Sequence, residues 1–159
     1  MGILQGFFKC SRGLQQGCLL SPLLFLLVME GLSRLINNAK EDGLLKGVGI
    51  SSMLHLTHIF FVDDVILFGC GDLEKWRVLQ QVLKIFCAAT RMLVSSEKSC
   101  FIRNGVDEDV MAQILGILPF NVHRIEEGIK YLGYKLKPNN YLIRDWNWLI
   151  IKFEGHIQN

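Results

Sequence analysis

Apolar residues recur at spacings of three and four from Leu73 to about Thr90, at Leu73, Trp76, Leu79, Val82, Leu83, Phe86 and Cys87. That is the period of an α-helix, so the segment is expected to be amphipathic, with one face on a core. A second helix is expected from Pro22 to about Ala39. Its first two turns are apolar all round, which predicts deep burial of that end. Further on, Leu32, Leu35 and Ile36 keep one apolar face while Arg34, Asn37, Asn38 and Lys40 turn to water. Ser21 is positioned to cap the first free N–H groups, Pro22 suits the first helical position, and Glu41-Asp42-Gly43 ends the helix. Shorter helical patterns cover Asp107 to about Leu115 and Asp145 to Ile157, the latter with Trp146, Leu149, Ile150 and Phe153 on the period. Trp146 and Trp148, two apart, cannot both face one core.

Strand patterns lie between the helices. Leu56-Thr57-His58-Ile59-Phe60-Phe61 and Val65-Ile66-Leu67-Phe68-Gly69 are rich in β-branched and aromatic residues and read as two short strands with buried arms. Gly6 to Cys10, Met92 to Val94 and Cys100 to Ile102 are shorter candidates. Leu44 to Ser52 reads as a turn with strand pieces, and Gly69-Cys70-Gly71-Asp72 as a loop. Ile129 to Leu136 alternates like a strand or tight hairpin, broken by Pro138-Asn139-Asn140. These strands cannot all be joined by helical crossovers, so the order fits an α+β fold better than a doubly wound one.

Composition narrows the classes. With 159 residues, half of them hydrophobic, the chain is about one domain with a sizeable core rather than a disordered tail. A net charge of +2 neither demands nor excludes a nucleic-acid partner. The five cysteines show no C-x-x-C spacing, so neither a zinc site nor a disulfide framework follows, and a reduced intracellular compartment is expected. The first residues lack the features of a signal peptide, so secretion is not expected. Cys18 to Met29 is apolar apart from Ser21 and Pro22, yet about half the length a bilayer needs; it is read as a core helix, with no membrane partner.

Candidate chemistry centres on Asp63-Asp64, between the two strand patterns. Two carboxylates about 4 Å apart repel by roughly 4 kcal/mol at an effective dielectric near 20. A divalent cation offsets that, and Mg²⁺ is commonly held by one or two carboxylates plus substrate phosphates. The alternative is a polar turn, which aspartate favours for local reasons. The loop Arg12 to Gly17 precedes a helix start and could face an anion, though its glycine spacing is that of neither a P-loop nor a dinucleotide fingerprint. Lys98, in the polar turn Ser95 to Ser99, is either a phosphate contact or a solvated lysine. His55 and His58 fall on opposite faces of a strand, a poor spacing for a shared metal.

Taken together, Gln16-Gly17, Ser21-Pro22-Leu23-Leu24-Phe25, Phe61-Val62-Asp63-Asp64, Lys98 and Tyr131-Leu132-Gly133 resemble the reverse transcriptase domain of non-LTR retrotransposons, especially those of plants. The resemblance covers nearly the whole chain. It implies a partial polymerase palm over residues 1–128, then a palm–thumb hairpin and the start of a thumb helix over 129–159. It implies template-directed nucleotidyl transfer by two metal ions, Mg²⁺ or Mn²⁺, one activating the primer hydroxyl and one steadying the leaving pyrophosphate. Asp63 and Asp64 would then be the metal ligands. Arg12, Gln16 and Gly17 would shape the site for the incoming nucleotide and template. Lys98 would sit near the triphosphate as a candidate proton donor. The implied partners are an RNA template, a DNA primer and deoxynucleotides, and the implied location is the nucleus or cytoplasm.

The chain departs from that family pattern. A further aspartate on an earlier strand is expected, but the acidic residues before the hairpin are Glu30, Glu41 and Asp42, within and at the end of a predicted helix. Cys18-Leu19 stands where Asp-Pro is often found, Arg91 where glycine is common and Ser95 where asparagine is common. The expectation is a fragment lacking the fingers and first palm strands, catalytically incomplete alone. The rival reading is a non-enzymatic remnant that binds nucleic acid weakly or associates through uncovered palm surface, or one without function.

Overall fold

A computed structural model describes residues 19–132, 134–138 and 141–157. Four helices and eight short strands alternate along them, a mixed α+β composition. They divide into two compact units: one holds the described residues up to Val94 with Asp109–Leu118, the other Ser95–Glu108 and the residues from Pro119 onward.

The first unit is built on two helices, α1 (Ser21–Glu41) and α2 (Leu73–Thr90). Met29, Leu32, Ile36 and Ala39 of α1 meet Leu79, Val82 and Phe86 of α2, with Leu45 closing the cluster; Ile36 is fully buried. The period read from the sequence places these residues on facing stripes. Asp72 caps α2, its carboxylate accepting from the Glu74 N–H at 3.0 Å. Strands β1 (Val48–Gly49) and β2 (His55–Leu56) pair antiparallel, as do β3 (His58–Phe61) and β4 (Asp64–Leu67). Phe60 and Leu67 pack on the helical core. Helix α3 (Glu108–Ile117) contributes buried Met111 and Ile114, and the Gln80 amide donates to the Ile117 carbonyl at 2.7 Å.

In the second unit β5 (Cys100–Arg103) and β6 (Asn121–Arg124) run parallel. Parallel strands need a crossover connection, and the intervening chain carries α3. Strands β7 (Ile129–Tyr131) and β8 (Tyr134–Leu136) form an antiparallel hairpin. A 3₁₀ turn, Ile143–Trp146, leads into α4 (Asn147–Ile157).

Four expectations need correction. The apolar start of α1 is not deeply buried: Leu20, Leu23, Leu26 and Leu27 are exposed and Leu19 is 94% exposed. The fully buried stripe begins at Met29; before it Phe25 and Val28 pack on the same core and are only partly buried, while the leucines between them face away from it. Ser21 does not stand at the N-cap position of α1; Leu20, which already has a helical backbone, does, so Ser21 is the first residue inside the helix. Met92 to Val94 forms no strand, since the run finds no ladder partner among the described residues and Leu93 is 92% exposed. The arms of the acidic hairpin are half-buried rather than buried. One face of β3 packs inward while Ile59 and Phe61 on the other reach solvent.

Candidate active site

Phe61 pairs with Asp64, so Val62 and Asp63 alone make the turn between β3 and β4. The favoured two-residue hairpin turns take a positive φ at their first central residue to match strand twist, a position that asparagine, aspartate or glycine usually fills. Here Val62 holds it, at φ +53°. A β-branched residue in that region is strained. Asp63 therefore projects from the tip and Asp64 opens the returning strand; both are exposed. The sequence reading put both in the turn, whereas the register puts Asp64 in the ladder.

The hairpin's base is fixed to α1. The His58 ring meets the Ser33 hydroxyl through Nε2 at 2.9 Å and the Thr57 hydroxyl through Nδ1 at 3.0 Å. Its pKa is lowered from 6.5 by burial and by the nearby Lys40 charge, so the ring is neutral at pH 7. In a neutral imidazole one nitrogen donates and the other accepts, and hydroxyls can answer either way. The Phe60 ring lies 4.7 Å from His58, and the Lys40 ammonium donates to the His55 carbonyl at 2.7 Å. On the outgoing side the Trp76 indole donates to the Cys70 carbonyl at 2.8 Å. The ring approaches Gly69, two residues past β4, so closely that a Cβ there would lie 2.7 Å from it, and a larger residue would have to displace the indole. His58 was read from the sequence only as a poor metal ligand; its anchoring role depends on Ser33, 25 residues away.

A cation at the tip would find two hard oxygen donors, the set that suits Mg²⁺ completed by water or phosphate oxygens. Among the described residues no group of three or more His, Cys, Asp or Glu gathers to hold a metal by itself. Of the other sequence-derived candidates, Arg12, Gln16 and Gly17 lie outside the described residues. Lys98 is exposed in a turn of the second unit, its N–H 3.4 Å from the Ser95 hydroxyl. The acidic residues before the hairpin lie on or just after α1. Glu30 pairs with Arg34 at 2.9 Å, Glu41 ends the helix and Asp42 follows as its C-cap.

A second constellation lies in the other unit. The Asp145 carboxylate is buried, 2.8 Å from the Lys135 ammonium, in an ion pair with Lys137, and accepts from the Leu142 N–H at 2.8 Å. These partners, Lys135 first, hold its carboxyl well below the ordinary carboxylate range. The Tyr141 hydroxyl donates to the Lys135 carbonyl and accepts from the Lys137 N–H, each at 3.1 Å. The network ties β8 to the 3₁₀ turn before α4. No local pattern announces it, because its partners are eight and ten residues apart.

A family model described as reverse transcriptase (RNA-dependent DNA polymerase) matches residues 2–136. The chain belongs to the reverse transcriptase family. The matched span contains all five motifs that carried the resemblance and ends with β8. A reverse transcriptase domain implies a palm-like polymerase fold, with which the mixed helices and short sheets are compatible. The chain is also 45% identical over 64 residues to an uncharacterized mitochondrial protein of Arabidopsis thaliana, covering 40% of this chain and 52% of that protein. It thus spans about half the length of that curated relative. Among the described residues of this member of the reverse transcriptase family, no helix is long and apolar enough to cross a membrane.

Proposed function

We propose that this chain is a palm segment of a plant-type, non-LTR retrotransposon reverse transcriptase, over residues 1–128, followed by the palm–thumb hairpin and start of a thumb helix over 129–159. The supporting observation is the β3–β4 hairpin. An aromatic-x-Asp-Asp run sits on a strained two-residue turn, inside a span that matches the family. In this reading Asp63 and Asp64 hold Mg²⁺ or Mn²⁺, which when bound would supply Lewis-acid stabilisation of phosphoryl oxygens. Arg12, Gln16 and Gly17 shape the nucleotide and template site, and Lys98 meets the triphosphate. The partners are an RNA template, a DNA primer and deoxynucleotides, and the setting is the nucleus or cytoplasm. Titrating Mn²⁺ against wild type and Asp63→Asn tests the metal assignment: the variant is expected to bind more weakly, and identical binding would end the idea.

The chain as it stands does not extend a primer in this reading. Its acidic residues before the hairpin, Glu30, Glu41 and Asp42, sit on α1 or just after it and not on a strand, where the family's further clamp aspartate is expected. Primer extension on an RNA template with the purified chain checks this, and robust Mg²⁺-dependent product would sink the claim. A second reading, association with another polypeptide without catalysis, is favoured by the exposed leucines at the start of α1 and by Ile59 and Phe61 on the hairpin's outer face. Sedimentation that depends on protein concentration, without nucleic acid, supports it.

A further inference from the structure

One face of α1 is mirrored about its middle. Leu27, Leu24 and Leu20 stand four, seven and eleven residues before Gly31, and Leu35, Asn38 and Asp42 stand four, seven and eleven residues after it. Those spacings keep them all on one side of the helix, next to the stripe that packs on α2. We propose that two copies of this chain pair antiparallel along this face, crossing at Gly31, so that the leucines of each copy cover a groove at the far end of the other. The proposal gives the associating reading above a partner and a geometry, and it rests on that reading.

Three observations carry it. First, the face is apolar and exposed at one end and hollow at the other. Leu20, Leu24 and Leu27 are 59%, 40% and 68% exposed, and no charged residue lies between Leu19 and Met29. At the other end Leu35 and Asn38 border an open groove of about 440 Å³ between α1 and α2, lined also by Leu44, Val78 and Ile85. A two-fold contact brings residue i to residue j and j to i. Antiparallel pairing about Gly31 therefore sets Leu27 against Leu35, Leu24 against Asn38 and Leu20 against Asp42 of the other copy, each twice. Second, Gly31 leaves room at the crossing. A Cβ built there would meet no atom within 4 Å, so the chain's own packing does not require glycine, although glycine weakens a helix interior. The distance between packed helices depends on the side chains at their contact, and two glycines there allow a close one. Third, the charges match in this order. The first turn of α1 has no acidic residue, and its end is the positive pole of the helix dipole. Antiparallel pairing brings Asp42 of the other copy to that end. Along the edge of the face, Glu30 and Arg34, paired at 2.9 Å and exposed, meet the same pair in reverse order, so each arginine faces a second carboxylate. Parallel pairing would set Asp42 against Asp42 and Glu30 against Glu30. Another apolar polypeptide would also cover the leucines, but the mirrored spacing about Gly31 favours a second copy.

The test is sedimentation equilibrium of the full chain from about 1 to 100 μM, without nucleic acid or metal. The wild type is expected to pass from monomer to dimer and to stop there, because a two-fold contact closes on itself. Gly31→Glu is expected to raise the dissociation constant about tenfold or more, since its side chains wedge the crossing and bring two carboxylates together. Its Cβ enters open space, so the variant is expected to keep the helical circular dichroism of the wild type. Leu24→Glu is expected to stay monomeric, and adding Asn38→Lys to the same chain to restore the dimer, because the antiparallel order sets each new carboxylate against a new ammonium of the other copy. Both positions are exposed, so neither change removes buried packing. Wild-type association in Gly31→Glu overturns the α1 contact and leaves association through another surface standing. A double variant that stays monomeric overturns the antiparallel order, and growth beyond the dimer overturns the closed two-fold. A wild-type chain that is monomeric at every concentration overturns both the dimer and the associating reading beneath it.

Discussion

Val62 and Arg91 hold backbone conformations that L residues with bulky side chains avoid, at φ +53° and +60°. Left-handed geometry costs such a residue about 1–2 kcal/mol, partly offset on replacement by glycine's larger loss of chain entropy. Arg91→Gly is therefore expected to stabilise the chain by about 1 kcal/mol, read as a higher denaturation midpoint at unchanged slope. The position ends α2 in the left-handed region, and its arginine is exposed, so no packing is lost. The same reasoning applies to Val62→Gly, with a similar gain of about 1 kcal/mol. Strain kept at the proposed metal-binding turn fits a local geometry selected for function. The variant is thus expected to fold more stably while holding Mn²⁺ less tightly. Tighter metal binding by Val62→Gly would count against a role for the strained turn. The unusual arginine was legible in the sequence, where glycine is common in the family. Val62 was not, because the residue type says nothing of φ until the register makes it the first residue of a two-residue turn.

At the level of elements, local periodicity carried far. The bounds of α2 follow from the apolar spacing, and its Asp72 cap was there to be read as an aspartate just before the pattern. Strand β6 was missed, because Asn121-Val122-His123-Arg124 has one β-branched residue and owes its existence to β5 beside it. The anchoring of elements to one another gives two pH-dependent predictions. His58 has a folded-state pKa below the ordinary 6.5, so the unfolded chain binds its proton more readily. Its contribution to stability is complete above pH 6.5 and falls as the pH drops below that value. Denaturation profiles from about pH 7.5 down to about pH 5 should show the loss, and His58→Asn should remove that part of the slope. Asp145 behaves likewise in a lower window: its depressed carboxyl contributes fully above pH 3.8 and loses the contribution as the pH falls below it. Asp145→Asn cannot pair with two lysines as an anion, so it should lower stability at neutral pH and flatten the acid limb. An acid limb identical to wild type would show that the ion pairs do not hold the 3₁₀ turn to β8.

At the scale of the molecule, the hydrophobic core cluster among the described residues lies where α1 meets α2. Ile36→Ala empties a fully buried site and is expected to cost about 2–5 kcal/mol, with hydrogen exchange rising in both helices of that unit. The sequence by itself determined the α+β class, the helix stripes, the acid pair between two strands and the membership of the reverse transcriptase family. These rest on local periodicity and on motifs whose order along the chain is itself the information. Tertiary structure alone decided which face of each helix is covered, where the positive φ of the hairpin falls, and that Ser33 and Thr57 hold His58. It also brought Lys135 and Lys137 to Asp145 and set Tyr141 beside Trp146. Such contacts join residues from different elements, and nothing in the spacing of apolar and polar positions encodes which distant side chain will arrive. The leucines at the start of α1 mark the same boundary: hydrophobicity predicted burial there, but burial needs a partner, and the described residues supply none.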